Sequence, residues 1–313
     1  AAAATPMAGA IPAIAGEAEP AAAIVPAGSA RLAFAAKGTE FHFHTGALRG
    51  TLRAQGRSVG LAPAVDTESG ATLSGALGLF SHYRLLDAES RYGGGAWDWP
   101  SQARSLADGS VTVAWTGDAG HPFDMTAQYR WSAPNALDVV TCVTPRKDVE
   151  RFEVFLASYF SGFAESLVFV KGCPETNGKP GLLPATKANG DWQMFPRDAA
   201  ALRTIRDGRW KRPPNPVDWR IMPELAAPLA VRRDAKTGLT GLVMSPREDC
   251  FAVATPYGEE GHRSLYLSLL GRDIQAGQTA TARARLVIAR GVSDARAVAI
   301  YEAFVKEVRN LGK

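Results

Sequence analysis

The sequence predicts an all-β fold: a large antiparallel β-sandwich with one long loop excursion and one C-terminal helix. Short segments of β type follow one another along most of the chain, and each is closed by Gly, Pro, Asn or Asp. Short strands with turn residues between them are typical of sandwiches and barrels. Apolar residues at helical spacing indicate a helix near the C-terminal end. A chain of 313 residues with this pattern can form one large β unit.

The predicted strands are, in chain order, RLAFAA (31–36), EFHFHTG (40–46), LRGTLRAQG (48–56), SVTVAWTG (110–117), MTAQYRWS (125–132), ALDVVTCVTP (136–145), RFEVFLASYF (151–160), SLVFVKG (166–172), LAVRRD (229–234), LTGLVMSP (239–246), CFAVATP (250–256), RSLYLSLLG (263–271) and TATARARLVIAR (279–290). The last of them alternates with the period of two that marks a strand with one buried face. MTAQYRW and ALDVV flank a Pro-Asn pair, which predicts a hairpin.

Residues 173–230 depart from this pattern, because they are rich in Pro, Gly and Trp and show little alternation. We name this segment the excursion and expect it to lie over one end of the sandwich, where long loops are often functional. Residues 293–311 carry apolar side chains at helical spacing, with Ser293 placed to cap the helix and Gly312 to end it. We therefore expect a single β-sandwich domain over residues 31–313 that includes this helix.

Residues 1–30 are rich in Ala and Pro and contain no basic residue. Their prolines break the apolar core that an intact export signal needs. We interpret them as a flexible segment left after a signal was removed or trimmed, which predicts a secreted or periplasmic protein. The alternative is the ordinary disordered terminus of a cytoplasmic protein.

Composition and charge narrow the functional classes. Apolar residues make up 46% of the chain and charged residues 21%, so a sizeable core is expected. The 35 basic and 31 acidic residues are mixed along the chain, which gives no basic face for nucleic acid. No apolar run reaches the roughly 18 residues of a membrane span. The cysteines, which lack metal-type spacing and allow one disulfide at most, are Cys142, Cys173 and Cys250.

Two blocks resemble a known family. Residues 120–162 read GHPFDMTAQYRWSAPNALDVVTCVTPRKDVERFEVFLASYFSG. This stretch resembles the central block of aldose epimerases of the galactose-mutarotase-like supersandwich superfamily. In that block a Gly-aromatic turn, two strands and a His-x-Tyr-Phe-Asn element follow one another. LLGRDIQAGQTATARARLVI (269–288) is similar to the closing strands of that family. The resemblance implies a supersandwich fold and a sugar ligand.

The sequence departs from the family at both residues of its acid–base pair. The family's general-acid histidine corresponds to Ala157, and its general-base glutamate corresponds to Gln278. An alanine cannot transfer a proton, and a glutamine amide is not a base at neutral pH. We therefore expect a divergent member without mutarotase chemistry of that kind.

Three other residues are candidates for acid–base catalysis. His82 follows a strand-like GLF, and His262 lies in a Gly-flanked turn beside two glutamates. Imidazole is the usual group for proton transfer near neutral pH, and Tyr159 is a third candidate. The alternatives are a hydrogen-bonded histidine at a strand edge for His82 and a solvated turn for the glutamates beside His262.

Sugar binding requires aromatic side chains on loops, with polar groups around them. The loop after a GGG run and the excursion supply several tryptophans, although these could equally form small cores that hold the loops. Arg84 and Arg209 could bind the carboxylate of a uronic acid, because a guanidinium matches a carboxylate. The candidate substrate-binding residues are Arg84, Trp97, Asp98, Arg209, Trp210, Trp219 and Tyr257.

His42 and His44 share one face of the predicted strand EFHFH, and this spacing suits two ligands of a metal. Alternatively, the phenylalanines of this strand face the core and the histidines face water.

Three functions stay open. We favour a carbohydrate-active enzyme of lyase, hydrolase or epimerase type without a cofactor. The alternatives are a non-catalytic carbohydrate-binding protein and a metal-dependent enzyme that uses His42 and His44.

Overall fold

The computed structural model describes residues 32–311, so the segment 1–30 and Gly312, for which the sequence made predictions, lie outside the described residues. The strands are β1 Phe34–Lys37, β2 Glu40–His44, β3 Leu48–Arg53, β4 Gly60–Asp66, β5 Ser81–Leu86, β6 Gln102–Ser105, β7 Val111–Trp115, β8 Phe123–Ala133, β9 Ala136–Pro145, β10 Val149–Tyr159, β11 Glu165–Val170, β12 Gly181–Pro184, β13 Trp192–Pro196, β14 Arg220–Ile221, β15 Leu225–Asp234, β16 Leu239–Met244, β17 Cys250–Pro256, β18 Ser264–Ile274 and β19 Ala280–Arg290. The helices are α1 Ala199–Ile205 and α2 Asp294–Leu311.

These strands form three sheets. A six-stranded sheet has the order β14-β13-β17-β18-β10-β5, and a nine-stranded sheet has the order β12-β11-β15-β16-β19-β9-β8-β7-β6. Strands β1 to β4 form a four-stranded meander. Pairing is antiparallel except between β13 and β14, and the hairpin that the sequence predicts is β8–β9. The predicted all-β antiparallel sandwich is confirmed.

The main core lies between the six-stranded and nine-stranded sheets. Val154 and Leu156 on β10 belong to it, and so do Val139 and Val143 on β9. Their alternation with the residues between them explains the period of two in both segments. The neighbours on β10, such as Phe155, belong to a second cluster on the opposite face of the six-stranded sheet. That face carries the candidate site.

Helix α2 covers the outer face of the nine-stranded sheet. Ile300 and Phe304 pack there in a cluster with Leu242 and Val287. The backbone N–H of Arg296 donates to the Ser293 hydroxyl at 3.2 Å, which is the capping contact that the sequence predicts. Within the described range, neither helix has the length and apolar character needed to cross a membrane.

The excursion is more structured than the sequence predicts. It contains β12, β13, β14 and the start of β15, together with the short helix α1. The carboxylate of Asp198 caps α1 by accepting a 2.9 Å hydrogen bond from the N–H of Ala201. Because β13 pairs with β17, the excursion extends the six-stranded sheet as well as lying over it.

Candidate functional site

A cleft of about 700 Å³ lies between the outer face of the six-stranded sheet and the excursion. Its volume lies in the usual range for small-ligand sites. The sheet contributes the side chains of Tyr83, Arg84, Phe155, Tyr159 and Tyr266. The excursion contributes 190–192, Trp210 and 215–220, and the loop before β18 contributes His262.

A β-bulge directs two consecutive side chains of β5 into the cleft. His82 pairs with Leu156 and Leu85 pairs with Val154, so two residues of β5 lie opposite the single residue Phe155. Those two residues are Tyr83 and Arg84, and both line the cleft. In a regular strand one of them would face the core instead.

Arg84 is buried at the side of the cleft, with only 4% of its surface exposed. Its Nη2 donates a 2.8 Å hydrogen bond to the carbonyl oxygen of Asn215, which ties the excursion to β5. Its Cζ lies over the ring of Tyr83 at 5.1 Å and over the ring of Trp210 at 5.2 Å from the centroids. The guanidinium therefore forms part of an aromatic wall.

Tyr159 and Tyr266 lie on neighbouring strands at the cleft floor. The Ser264 hydroxyl donates to the Tyr266 hydroxyl oxygen at 2.8 Å, and the Tyr159 hydroxyl also hydrogen-bonds to Tyr266. Burial raises the pKa of Tyr266 to about 12, and it raises the pKa of Tyr159 further. Both phenols therefore keep their protons at neutral pH and are hydrogen-bond donors there.

His262 lies at the mouth of the cleft, with its side chain 54% exposed. Its Nδ1 is 2.9 Å from Oε1 of Glu260, and its ring is 5.2 Å from that of Trp192. Because Glu260 holds Nδ1, Nε2 is the nitrogen that remains for a ligand. The buried Arg232 holds the loop that carries His262, because its guanidinium donates a 2.9 Å hydrogen bond to the carbonyl oxygen of Gly258.

Aromatic rings form the remaining wall. Trp219 lies perpendicular to Trp210 at 5.2 Å and to Trp192 at 6.0 Å between ring centroids. Phe155 contacts Trp210 from the sheet side at 4.8 Å. The indole N–H groups of Trp210 and Trp219 are buried and have no hydrogen-bond partner among the described residues. Such a wall offers flat apolar faces to a ligand.

Five of the residues proposed from the sequence line this cleft together, although they are scattered along the chain. They are Arg84, Tyr159, Trp210, Trp219 and His262. The clustering therefore brings one arginine, two titratable side chains and two tryptophans to one place, as the carbohydrate-cleft hypothesis requires.

His82 does not lie in the cleft. Its side chain is fully buried in the inter-sheet core, where Nε2 is 2.9 Å from the Thr141 hydroxyl and Nδ1 is 3.2 Å from the Tyr129 hydroxyl. Burial lowers the pKa of His82 to about 3, so the imidazole is neutral. The bulge explains the difference, because it places His82 and Arg84 on opposite faces although they are two residues apart.

Arg209 is also placed differently from the sequence-based expectation of a ligand-binding side chain. It is fully buried, and its Nη1 donates to Glu153 at 2.9 Å while Nη2 donates to Asp207 at 2.9 Å. Burial alone would lower the pKa of Arg209, but the two carboxylates outweigh it and raise the pKa. The side chain therefore holds the excursion to β10 and is not free to bind a substrate.

The other three candidates lie outside the cleft lining. Trp97 stacks on Tyr83 at 4.4 Å between centroids and so supports a lining residue from behind. Asp98 is exposed. Tyr257 is half-buried, with the Lys187 ammonium 5.5 Å from the centre of its ring.

Tyr266 is a cleft residue that the sequence-based candidates did not include. In β18, Ser264, Tyr266 and Ser268 alternate with leucines, and all three are buried. This alternation of hydroxyl groups with leucines is the signal that would have indicated a polar sheet face.

The two positions that correspond to the mutarotase acid–base pair are far apart here. Ala157 is fully buried in β10, opposite Tyr266. Gln278 is exposed in the turn after β18, beyond Ile274. The strand from Tyr266 to Ile274 alone spans roughly 25 Å at the usual rise of a strand. Neither residue therefore supplies an acid or base to the cleft.

The histidines considered as metal ligands lie on the four-stranded sheet. Nδ1 of His42 is 3.3 Å from the Thr51 hydroxyl, and His44 is exposed. Phe41 and Phe43 are buried, as the alternative interpretation of this strand expects. Between residues 32 and 311, no cluster of three or more His, Cys, Asp or Glu side chains could hold a metal ion. The hypothesis of a metal-dependent enzyme that uses His42 and His44 has no support in this part of the chain.

Comparison with known proteins identifies the fold. No protein-family model matches the sequence, and no curated protein matches it. Among solved structures, the Slr1438 protein from Synechocystis has a TM-score of 0.51 at 10% identity, with 82% of this chain and 97% of that chain covered. A galactose mutarotase-like protein from Lactobacillus casei also has a TM-score of 0.51 at 10% identity, over 80% and 99% of the two chains.

A third structure is the alpha-N-acetylgalactosaminidase NagBb from Bifidobacterium bifidum in a GalNAc complex, with a TM-score of 0.51 at 12% identity. The match covers 85% of this chain but only 39% of the enzyme. At these identities the likeness shows the fold alone. The chain has the galactose-mutarotase-like β-sandwich fold.

Proposed function

We propose that this protein acts on a poly- or oligosaccharide by acid–base chemistry in the cleft. The observation that carries the proposal is the convergence of Tyr159, Tyr266 and His262 beside a wall of tryptophans. Flat aromatic faces suit the C–H faces of sugar rings, and the three titratable groups can exchange protons with a bound sugar. The fold supports a carbohydrate ligand, since the solved structures that share it include a galactose mutarotase-like protein and an alpha-N-acetylgalactosaminidase.

In this proposal Tyr266 is the proton donor. Its hydroxyl oxygen accepts a hydrogen bond from Ser264, so its own O–H can donate to the ligand. His262 is the proton acceptor, because Glu260 engages Nδ1 and leaves Nε2 for the substrate. Tyr159 orients the donor and is not itself required to ionise.

The first test is product release from a panel of neutral and acidic oligosaccharides, with binding measured in parallel. Tyr266→Phe and His262→Gln should each reduce turnover by about 100-fold or more, while the Kd of the substrate changes less than about threefold. Tyr257→Phe is the matched control, because Tyr257 lies outside the cleft lining and should leave turnover unchanged. Full turnover in both cleft variants would contradict the assignment.

The second candidate function is non-catalytic carbohydrate binding. It is favoured by the wall of Trp192, Trp210 and Trp219, whose flat faces serve sugar binding whether or not a proton moves. A wild-type protein that binds an oligosaccharide and releases no product, with affinity lost in Trp219→Ala, would establish this function instead.

The nature of any product separates the enzyme classes: lyases leave an unsaturated sugar, hydrolases a new reducing end and epimerases an inverted centre. A secreted or periplasmic location also stays a prediction, which fractionation of expressing cells can test.

A further inference from the structure

The cleft contains a buried positive charge without a counter-charge. Arg84 is 4% exposed, and among the described residues its side chain hydrogen-bonds only to a neutral carbonyl oxygen. Its Nε and Nη1 are buried and have no hydrogen-bond partner among those residues. Buried charges in proteins are ordinarily paired and hydrogen-bonded, since desolvation of a lone ion is costly. An arginine in this condition at a ligand cleft indicates that the ligand carries the missing charge.

The guanidinium has donors that no described residue engages, and these donors are buried at the side of the cleft. Within the part of the chain that the structure describes, its one hydrogen bond is from Nη2 to the carbonyl oxygen of Asn215, at 2.8 Å. Cζ lies over the rings of Tyr83 and Trp210, which cover its flat surface. A ligand therefore approaches in the plane of the guanidinium, where a planar carboxylate forms its strongest hydrogen bonds.

The charges around Arg84 also favour an anion. The indole N–H groups of Trp210 and Trp219 add two donors that lack acceptors. The acidic side chains of the cleft lining, Asp191 and Asp218, are both exposed, and Asp218 pairs with Lys211. The buried wall thus carries donors and positive charge, whereas the negative charge lies at the rim.

We infer that the sugar bound in this cleft is a uronic acid and that Arg84 binds its carboxylate. This inference rests on the proposed function, because it names the substrate class of the same site. It assigns to Arg84 the recognition of charge, while Tyr266 and His262 move the proton. A neutral sugar would leave Arg84 buried and unpaired, so the site discriminates against it.

The test is calorimetric binding of four matched tetrasaccharides: a uronate oligomer, its methyl ester, its carboxyl-reduced form and a sulfated neutral oligomer. Wild-type protein should bind the uronate about 10- to 100-fold more tightly than the ester or the reduced form. Arg84→Met should abolish that preference and change the Kd of the reduced form less than about threefold. Arg57→Met is the charge-matched control, since Arg57 is exposed on the four-stranded sheet side and absent from the cleft.

The outcomes separate this inference from the proposed function. Equal affinity for uronate and reduced oligomers, with turnover intact, overturns the carboxylate assignment and leaves the function standing. A preference for uronate that depends on Arg84, without any product, supports the assignment and overturns the catalytic proposal. Tightest binding of the sulfated oligomer, or equal loss of all ligands in Arg84→Met, overturns the inference, because Arg84 would then recognise a sulfate or only support the wall. Thermal unfolding of Arg84→Met near the wild-type temperature verifies that the variant is folded.

Discussion

Nη1 of Arg209 donates a 2.9 Å hydrogen bond to Oε2 of Glu153, and both side chains are completely buried. The pair joins the excursion to the middle of β10, next to Phe155 on the cleft floor. It therefore determines where the tryptophan wall lies relative to the sheet.

Arg209→Met should lower the free energy of unfolding by about 3–5 kcal/mol, because it leaves the Glu153 carboxylate buried without its partner. Urea unfolding measures this loss. The double variant Arg209→Met/Glu153→Gln should recover much of the stability, since it removes the fully buried Glu153 charge while Asp207 keeps Arg151 at 3.7 Å. If the single variant unfolds like wild type, the pair does not hold the excursion.

His82 should make the protein less stable in mild acid. The pKa of His82 in the fold is about 3, below the ordinary value of 6.5, so the unfolded chain binds the proton first as the pH falls. The contribution of His82 to the free energy of unfolding is fully present above pH 6.5 and declines from there down to about pH 3. By pH 5 the loss amounts to about 2 kcal/mol. Urea unfolding at pH 7.5 and pH 5 should show this difference in wild type and not in His82→Gln, whereas equal pH dependence would contradict it.

Gly241 should tolerate no side chain. A Cβ there would lie 2.3 Å from Cε1 of Phe160, within the buried strand β16. Gly241→Ala should therefore destabilise the protein by about 1–3 kcal/mol through overpacking. The matched control is Gly261→Ala, because a Cβ at Gly261 meets nothing within 4 Å. Comparable melting temperatures for the two variants would show that Phe160 moves aside freely.

Arg232 should control the loop that carries His262. Its guanidinium donates to the carbonyl oxygens of Phe163 and Gly258, both at 2.9 Å, although burial lowers its pKa to about 9. Arg232→Met removes the donor to the Phe163 carbonyl and one of two donors to the Gly258 carbonyl, which keeps only Arg263 at 3.1 Å. Amide exchange in residues 257–263 should therefore become about 10- to 100-fold faster. Arg233→Met, which removes an adjacent and more exposed arginine, should leave this exchange unchanged. Unaltered exchange in Arg232→Met would show that the loop is held by other contacts.

The strands were predictable because their signals are local. TATARARLVIAR alternates cleanly since β19 has one face in the main core, and MTAQYRW and ALDVV are separated by turn residues. The short strands β12, β13 and β14 were not predicted, because their pairing depends on β11 and β17 far along the chain. The sequence of a short segment does not show which distant strand it pairs with.

The site could be predicted in its composition but not in its orientation. Tyr159, Trp210 and Trp219 were identifiable as residue types that a sugar cleft needs. The sequence could not show that His82 and Arg84 lie on opposite faces of the sheet, since residues two apart share a face in any regular strand. Arg209 lies in a basic, loop-like segment that reads as exposed, and its partner Glu153 is 56 residues earlier in the chain.

The bulge in β5 has a consequence for how this cleft could diversify. One inserted residue gives the strand an additional functional group while Leu85 keeps its place in the core. Loss of that residue would restore an ordinary strand and remove one cleft side chain without repacking the sandwich. Substrate preference can then change by insertion and deletion at this position, and related chains of different length in β5 would differ in what they bind rather than in how they fold.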